Sequence, residues 1–256
     1  MEDVQAGYVK TETHKSITTI EFFHPQSNSL PRRILEDLAN EIHAAGAGSD
    51  TRVIVLRAAG EGAFCAGASF NELSHIEDEK HGADFFSGFA NVINAMRKCP
   101  KFIIGRIHGK CVGGGVGLAA AVDYAIAHEN ADIKLSELSI GIGPFVVGPV
   151  IERKIGASAF MQLAIDAGMW RNGNWARRKG LFAELHPTKE GMEESIFRLS
   201  NQLAHYNPQA MAALKKASWE GTDNWDELLS DRAAISGQLV ASAFTKEAIA
   251  KLQTRI

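Results

Sequence analysis

Two glycine-rich turns hold most of the residues in this chain that chemistry would need. The first is Gly60-Glu61-Gly62-Ala63-Phe64-Cys65-Ala66-Gly67-Ala68-Ser69-Phe70, directly after the run RVIVLR. The second is His108-Gly109-Lys110-Cys111-Val112-Gly113-Gly114-Gly115-Val116-Gly117, directly after FIIGRI. Each follows a strand signal and precedes a helical pattern. Small residues let a ligand approach the backbone closely. A helix N-terminus adds unpaired N–H groups and the positive end of a dipole. Two such donors aimed at one oxygen would make an oxyanion hole. The alternative for either turn alone is a tight bend that seats a helix against a sheet.

Other chemistries fit less well. Gly115-Val116-Gly117-Leu118-Ala119-Ala120 matches the dinucleotide pattern G-x-G-x-x-A. That pattern should directly follow a strand at the start of a βαβ unit. Here the seven residues His108 to Gly114 intervene, and the turn lies mid-chain. The nine histidines include no HExxH and no Cys/His cluster at metal spacing, so no metal is expected. Cys65 and Cys111 lack a paired base and read as packing residues. Ser69 and Ser136 lack a G-x-S-x-G elbow. Glu72, His75, His81 and Asp84 read as a solvated helix face, given the charges around them. Lys215, Lys216 and Lys246 have the flexible cation that suits phosphates, yet helix lysines are most often simply solvated.

The elements that position these turns follow from periodicity. Tyr8–Thr13 and Ser16–Phe23 are rich in β-branched and aromatic residues and predict a hairpin around His14-Lys15. Ile34, Leu35, Leu38 and Ile42 predict a helix from Pro31 to Ala45, stopped at Gly46. Arg52–Arg57, Phe102–Ile107 and Tyr124–His128 read as short buried strands, and Gly82–Arg97 as a helix. The repeated ββα or βα rhythm predicts an α/β core. Beyond about residue 150 the segments 150–167, 173–181, 188–205, 208–219 and 225–252 all read as helices, broken by the apolar piece Leu181–Leu185. The expected division is a core over 1–195 and a helical region over 196–256. The helix Trp225–Leu239 needs a buried face, which suggests self-association.

Bulk properties narrow the class. The chain has 256 residues, 45% hydrophobic and 22% charged, with a formal net charge of −3. That balance gives no support for nucleic-acid binding, which usually shows a basic face or stripe. Three cysteines do not make a disulfide framework and fit a reducing compartment. The N-terminus has no signal-peptide pattern and no apolar run is long enough to span a bilayer. A cytoplasmic protein without membrane contact is expected.

Taken together, the two turns resemble the crotonase (enoyl-CoA hydratase/isomerase) superfamily. RVIVLRAAGEGAFCAGASFNEL is similar to its first strand and loop. CPKFIIGRIHGKCVGGGVGLAAAVDYAIAHENADIKLSELSIGIGP is similar to its central segment, and the likeness runs in order from about residue 8 to the C-terminus. The resemblance implies a spiral of ββα units followed by a helical trimerisation region, and so a homotrimer or homohexamer. It implies an acyl-CoA substrate, with coenzyme A as part of that substrate and no further cofactor. The thioester oxygen would sit between the backbone N–H groups of Ala68 and Gly114. The carbonyl region of Cys65, Ala66 and Ala68 would receive the adenine end, and Gly67, Gly113 and Phe145 would also meet the acyl-CoA.

One departure from the family pattern bears on the reaction. Family hydratases commonly carry two glutamates, and the first of those positions is Gly117 here. The second is Glu137, in Ser136-Glu137-Leu138-Ser139-Ile140-Gly141. Taken alone, Glu137 reads as an exposed glutamate. The resemblance makes it the single acid/base, with a pKa expected to be raised by partial burial among Leu135, Leu138 and Ile140. One carboxylate suits moving a proton from one carbon to another, so double-bond isomerisation or hydration is expected. Gly117 is expected to leave space for a bulkier acyl group, and Phe145, Val146 and Val147 to make the acyl end apolar. The alternatives are an acyl-CoA decarboxylase or thioester hydrolase on the same oxyanion hole, or an inactive CoA-binding protein.

Overall fold

The computed structural model describes residues 7–253. The chain opens with β1 (Tyr8–His14) and β2 (Ile17–Phe23), paired antiparallel. Lys15 and Ser16 make the turn, both with positive φ, so the hairpin bends one residue later than the sequence suggests. Then follow β3 (Ser29–Leu30), α1 (Arg32–Ala47), β4 (Val53–Ala58), β5 (Gly67–Ala68), α2 (Phe70–Leu73) and α3 (Glu79–Lys98). Next come β6 (Phe102–Ile107), β7 (Cys111–Val112), α4 (Gly114–Ala121), β8 (Tyr124–His128), β9 (Ile133–Lys134) and a 3-10 turn at Glu137–Ile140.

A rule is visible in this order: a long strand, a two-residue strand, then a helix. The long strands line up as β1-β2-β4-β6-β8-β10, parallel after the first pair, where β10 is Glu184–His186. The short strands pair β3 with β5 and β7 with β9, and a bridge between Cys65 and Cys111 joins the two pairs. Successive ββα units therefore stack one step along two sheets at once, which is a spiral. Alternation along the long strands decides which residues face where. Ile54, Leu56, Ile103 and Ile107 enter the main core, while Val53, Val55, Ile104 and Ile126 face Met192 and Ile196 on the other side.

The helical half is cut more finely than its periodicity implies. The expected helix over 150–167 is two helices, α5 (Gly148–Ile155) and α6 (Ala157–Ile165), separated at Gly156 with φ of 80°. A left-handed glycine ends the first helix and lets the chain turn into the second. After α7 (Gly173–Arg178), α8 (Lys189–Ala204) and α9 (Pro208–Ser218), the segment expected as one helix over 225–252 is α10 (Trp225–Val240) and α11 (Ala243–Gln253). α10 lies tight on α3, where Cβ atoms built on Gly82 and Gly237 would fall 2.7 Å from Gly237 Cα and 2.4 Å from Ala83 N. α11 folds back onto the 3-10 turn, and Ile249 joins Leu73, Phe85, Ile142 and Val240 in a small cluster. Lys215, on α9, is buried, and its Nζ donates to Asp123 Oδ2 at 2.7 Å and to Lys101 O at 2.8 Å. It ties α9 to the sheet and is not placed for phosphate.

Candidate active site

The short-strand layer puts both glycine-rich turns on one wall. Gly67, with φ of 93°, passes so close to the second turn that a Cβ there would lie 2.9 Å from Val112 O and 3.5 Å from Gly114 N. Ser69 N–H donates to Leu30 O at 2.9 Å. N–H groups alternate along a strand, so that of Ala68 is turned away from β3. Gly113 caps α4, and its carbonyl accepts from Val116 and Gly117. Gly114 is the first helical residue, whose N–H has no partner within the helix. Two backbone donors from different elements thus border the same space.

That space is a cavity of about 660 Å³, lined by Ala66, Gly67, Ala68, Gly113, Gly114, Glu137 and Phe145 among others. Cys65 is the exception among the residues expected to touch CoA. It is fully buried, its carbonyl accepts from Val112 N–H at 2.9 Å, and it does not line the cavity. The carbonyl is committed to joining the two turns. Burial pushes the Cys65 thiol up to about 12, so it holds no thiolate near neutral pH.

Glu137 reaches the cavity from the 3-10 turn. The residue is half-buried, but its carboxyl end is not exposed: Oε2 is out of solvent and has no hydrogen-bond partner among the described residues. The carboxylate lies over Gly113, where a Cβ would meet Oε1 at 2.9 Å. Gly113 also has φ of 52°, so glycine is required there twice over. Burial raises the Glu137 pKa to about 7, and the Ser136 and Glu137 backbone amides pull the other way. The expected source of that burial needs correcting at one residue. Leu138 points outward at 52% exposure, whereas Ile140 lines the same cavity as Glu137 and Gly113 lies against the carboxyl.

A second correction concerns Gly117. It opens no extra room, because a Cβ at 117 would lie 2.4 Å from Val147 Cγ1 and 2.8 Å from its Cβ. Val147, buried and lining the cavity, fills the place of the absent side chain. Phe89 and Phe86 also line the cavity and carry no motif of their own. Their helical spacing reads as ordinary core, so only the fold brings them here. Glu72 does not join them: its Oε2 accepts from Arg32 N–H at 2.9 Å, at the start of α1. His108 is buried with both ring nitrogens unpartnered among the described residues, and burial lowers its pKa to about 4. It packs as a neutral ring. Among the described residues no group of three or more His, Cys, Asp or Glu is placed to hold a metal ion.

Comparison with known proteins gives the family. The enoyl-CoA hydratase/isomerase family model matches residues 12–251. The chain belongs to this family. As a family member it is an enzyme of the hydratase/isomerase type that acts on CoA thioesters. It is 27% identical, over 81% of its length and 82% of the relative's, to the (7aS)-7a-methyl-1,5-dioxo-2,3,5,6,7,7a-hexahydro-1H-indene-carboxyl-CoA hydrolase of Mycobacterium tuberculosis. It is 29% identical, over 80% and 82%, to a probable enoyl-CoA hydratase of Bacillus subtilis. The crystal structure of enoyl-CoA hydratase from Bacillus halodurans matches it with a TM-score of 0.88 over 95% of this chain and 99% of that one. At 21% identity, that likeness shows the shared fold. No helix among the described residues is long and apolar enough to cross a membrane.

Proposed function

We propose that this enzyme moves a double bond within an acyl-CoA thioester, with Glu137 as its sole acid/base. The observation that carries this is the Oε2 of Glu137, buried and without a partner among the described residues, in the cavity that Ala68 and Gly114 also line. The thioester oxygen accepts from both N–H groups. The Glu137 carboxylate takes the proton from the α-carbon, and the released electron pair moves onto that oxygen. The resulting dienolate is held by the two donors. The carboxylic acid then returns the proton to the γ-carbon, and the double bond comes into conjugation. A pKa near 7 suits both halves of such a transfer. Ala66, Gly67 and Gly113 line the CoA approach, and Phe145 the acyl end. No separate cofactor takes part.

Val147 favours isomerisation over hydration. Hydration uses one group to activate water and another to deliver a proton. The place of the second carboxylate is filled by valine. Thioester hydrolysis is the second reading, favoured by the name of the 27%-identical relative.

The test is an NMR time course in D₂O with a 2-enoyl-CoA and a 3-enoyl-CoA, comparing wild type with Glu137→Gln. Double-bond migration is expected, slowed about 10²–10⁴-fold in the variant. Water addition to the 2-enoyl ester, release of free CoA, or full turnover by the variant each overturn the assignment.

We also infer a homotrimer or homohexamer in the cytoplasm. Phe197 and Leu214 are each more than 60% exposed, which suits faces covered by assembly. All three thiols are free and buried, which suits a reducing compartment.

A further inference from the structure

Behind the acyl end lies a second cavity, of about 330 Å³. Gly143, Pro144 and Phe145 line it and the main cavity alike, so the two adjoin along this stretch of chain. The Phe145 ring lies against Gly143, where a Cβ would meet its Cε2 at 2.5 Å. Beyond it the lining is apolar, with Leu138, Phe160, Met161 and Ile165, apart from two charged residues, Glu152 and Arg232.

We propose that this cavity receives the far end of the acyl group, and that Arg232 holds a carboxylate there. The preferred substrates are then CoA esters of dicarboxylic acids. This rests on the reading of the main cavity as an acyl-CoA site.

Three observations support it. Arg232 is half-buried on α10 and has no ion pair or side-chain hydrogen bond among the described residues. Arg57, Arg97, Arg106, Arg171 and Arg198 all pair with carboxylates. A guanidinium drawn partly out of water without a partner is costly, and its planar fork matches a carboxylate. Second, α10 spans both cavities. Ser236, one turn after Arg232, lines the main cavity and donates to Arg232 O at 3.1 Å. Third, the apolar walls suit a methylene chain, so the ligand is an anion at the end of a hydrocarbon and not a small free anion. Glu152 is exposed and opposes an anion only from the rim.

The experiment is calorimetry with unreactive CoA thioethers. S-alkyl-CoA and S-(ω-carboxyalkyl)-CoA are compared over a series of chain lengths. At one length wild type is expected to bind the carboxylate-ended compound about tenfold more tightly than its methyl-ended match, the scale of one charge-assisted hydrogen bond. In Arg232→Met that preference collapses to about one, and Arg232→Lys restores part of it. Glu152→Gln keeps or increases it. Thermal melts show that each variant is folded. The inference is overturned if no chain length shows the preference, or if Arg232→Met keeps it. If methyl-ended thioethers bind without the preference, the acyl-CoA site stands and only the subsite falls. If neither series binds, both readings fall.

Discussion

Glu137 is held in a state that costs the fold something. Its Oε2 has no hydrogen-bond partner among the described residues, and burial lifts its pKa from an ordinary 4.5 to about 7. Below pH 4.5 the proton is bound in both folded and unfolded chains, and the group is neutral to stability. As pH rises from about 4.5 to about 7 the unfolded chain releases its proton and the folded chain keeps it. Stability therefore falls across that window, by on the order of 3 kcal/mol. Glu137→Gln removes this dependence. The variant is expected to match wild type near pH 4 and to exceed it above pH 7, in denaturant melts at each pH. Equal stability at both ends would show a carboxyl that is not desolvated. Activity runs the other way, because the base must be charged, so turnover should rise up to about pH 7. His108 adds the opposite slope: kept neutral by burial, it costs stability as pH falls from 6.5 to about 4.

Elements decide what sits beside that carboxyl. α4 enters the core on Gly114, Gly115 and Gly117, each pressed by a neighbour: the Phe89 ring, Cys65 O and Val147. Adding a carboxylate to α4 therefore depends on the segment leading into α5. Gly117→Glu alone is expected to lower stability by about 1–3 kcal/mol through overpacking, and more through the buried charge, with no gain of hydration. Val147→Gly in the same chain clears the overlap, and the double variant should recover stability and add water to a 2-enoyl-CoA. Thermal melts and the NMR assay read both. A stable Gly117→Glu single variant that hydrates would show that Val147 is no obstacle. The motif spelling made Gly117 look like open space. A gap in a motif says nothing about which distant residue fills it.

At the scale of the molecule, the spiral leaves apolar surface uncovered. Apolar side chains remain exposed on α8 and α9, and α11 covers the 3-10 turn while leaving Phe244 exposed. A trimer or hexamer is expected by light scattering, and a monomer at micromolar concentration would contradict it. The exposed apolar surface would then need another explanation.

Periodicity and turn chemistry were enough to read the strands and the first helices, because alternation and 3.6-residue spacing are local properties. The two glycine turns were legible for the same reason: a strand, a run of small residues and a helix are contiguous in the chain. Helix boundaries after residue 150 were less so, since one left-handed glycine at 156 splits an unbroken apolar pattern. What only the tertiary structure decided is distance. It brought Gly67 against Gly114, laid the Glu137 carboxylate over Gly113, packed Val147 against Gly117, and placed Arg232 beside a cavity with no ion pair among the described residues. Each of these joins residues far apart in sequence, and no local pattern records which side chains a packed interior brings into contact.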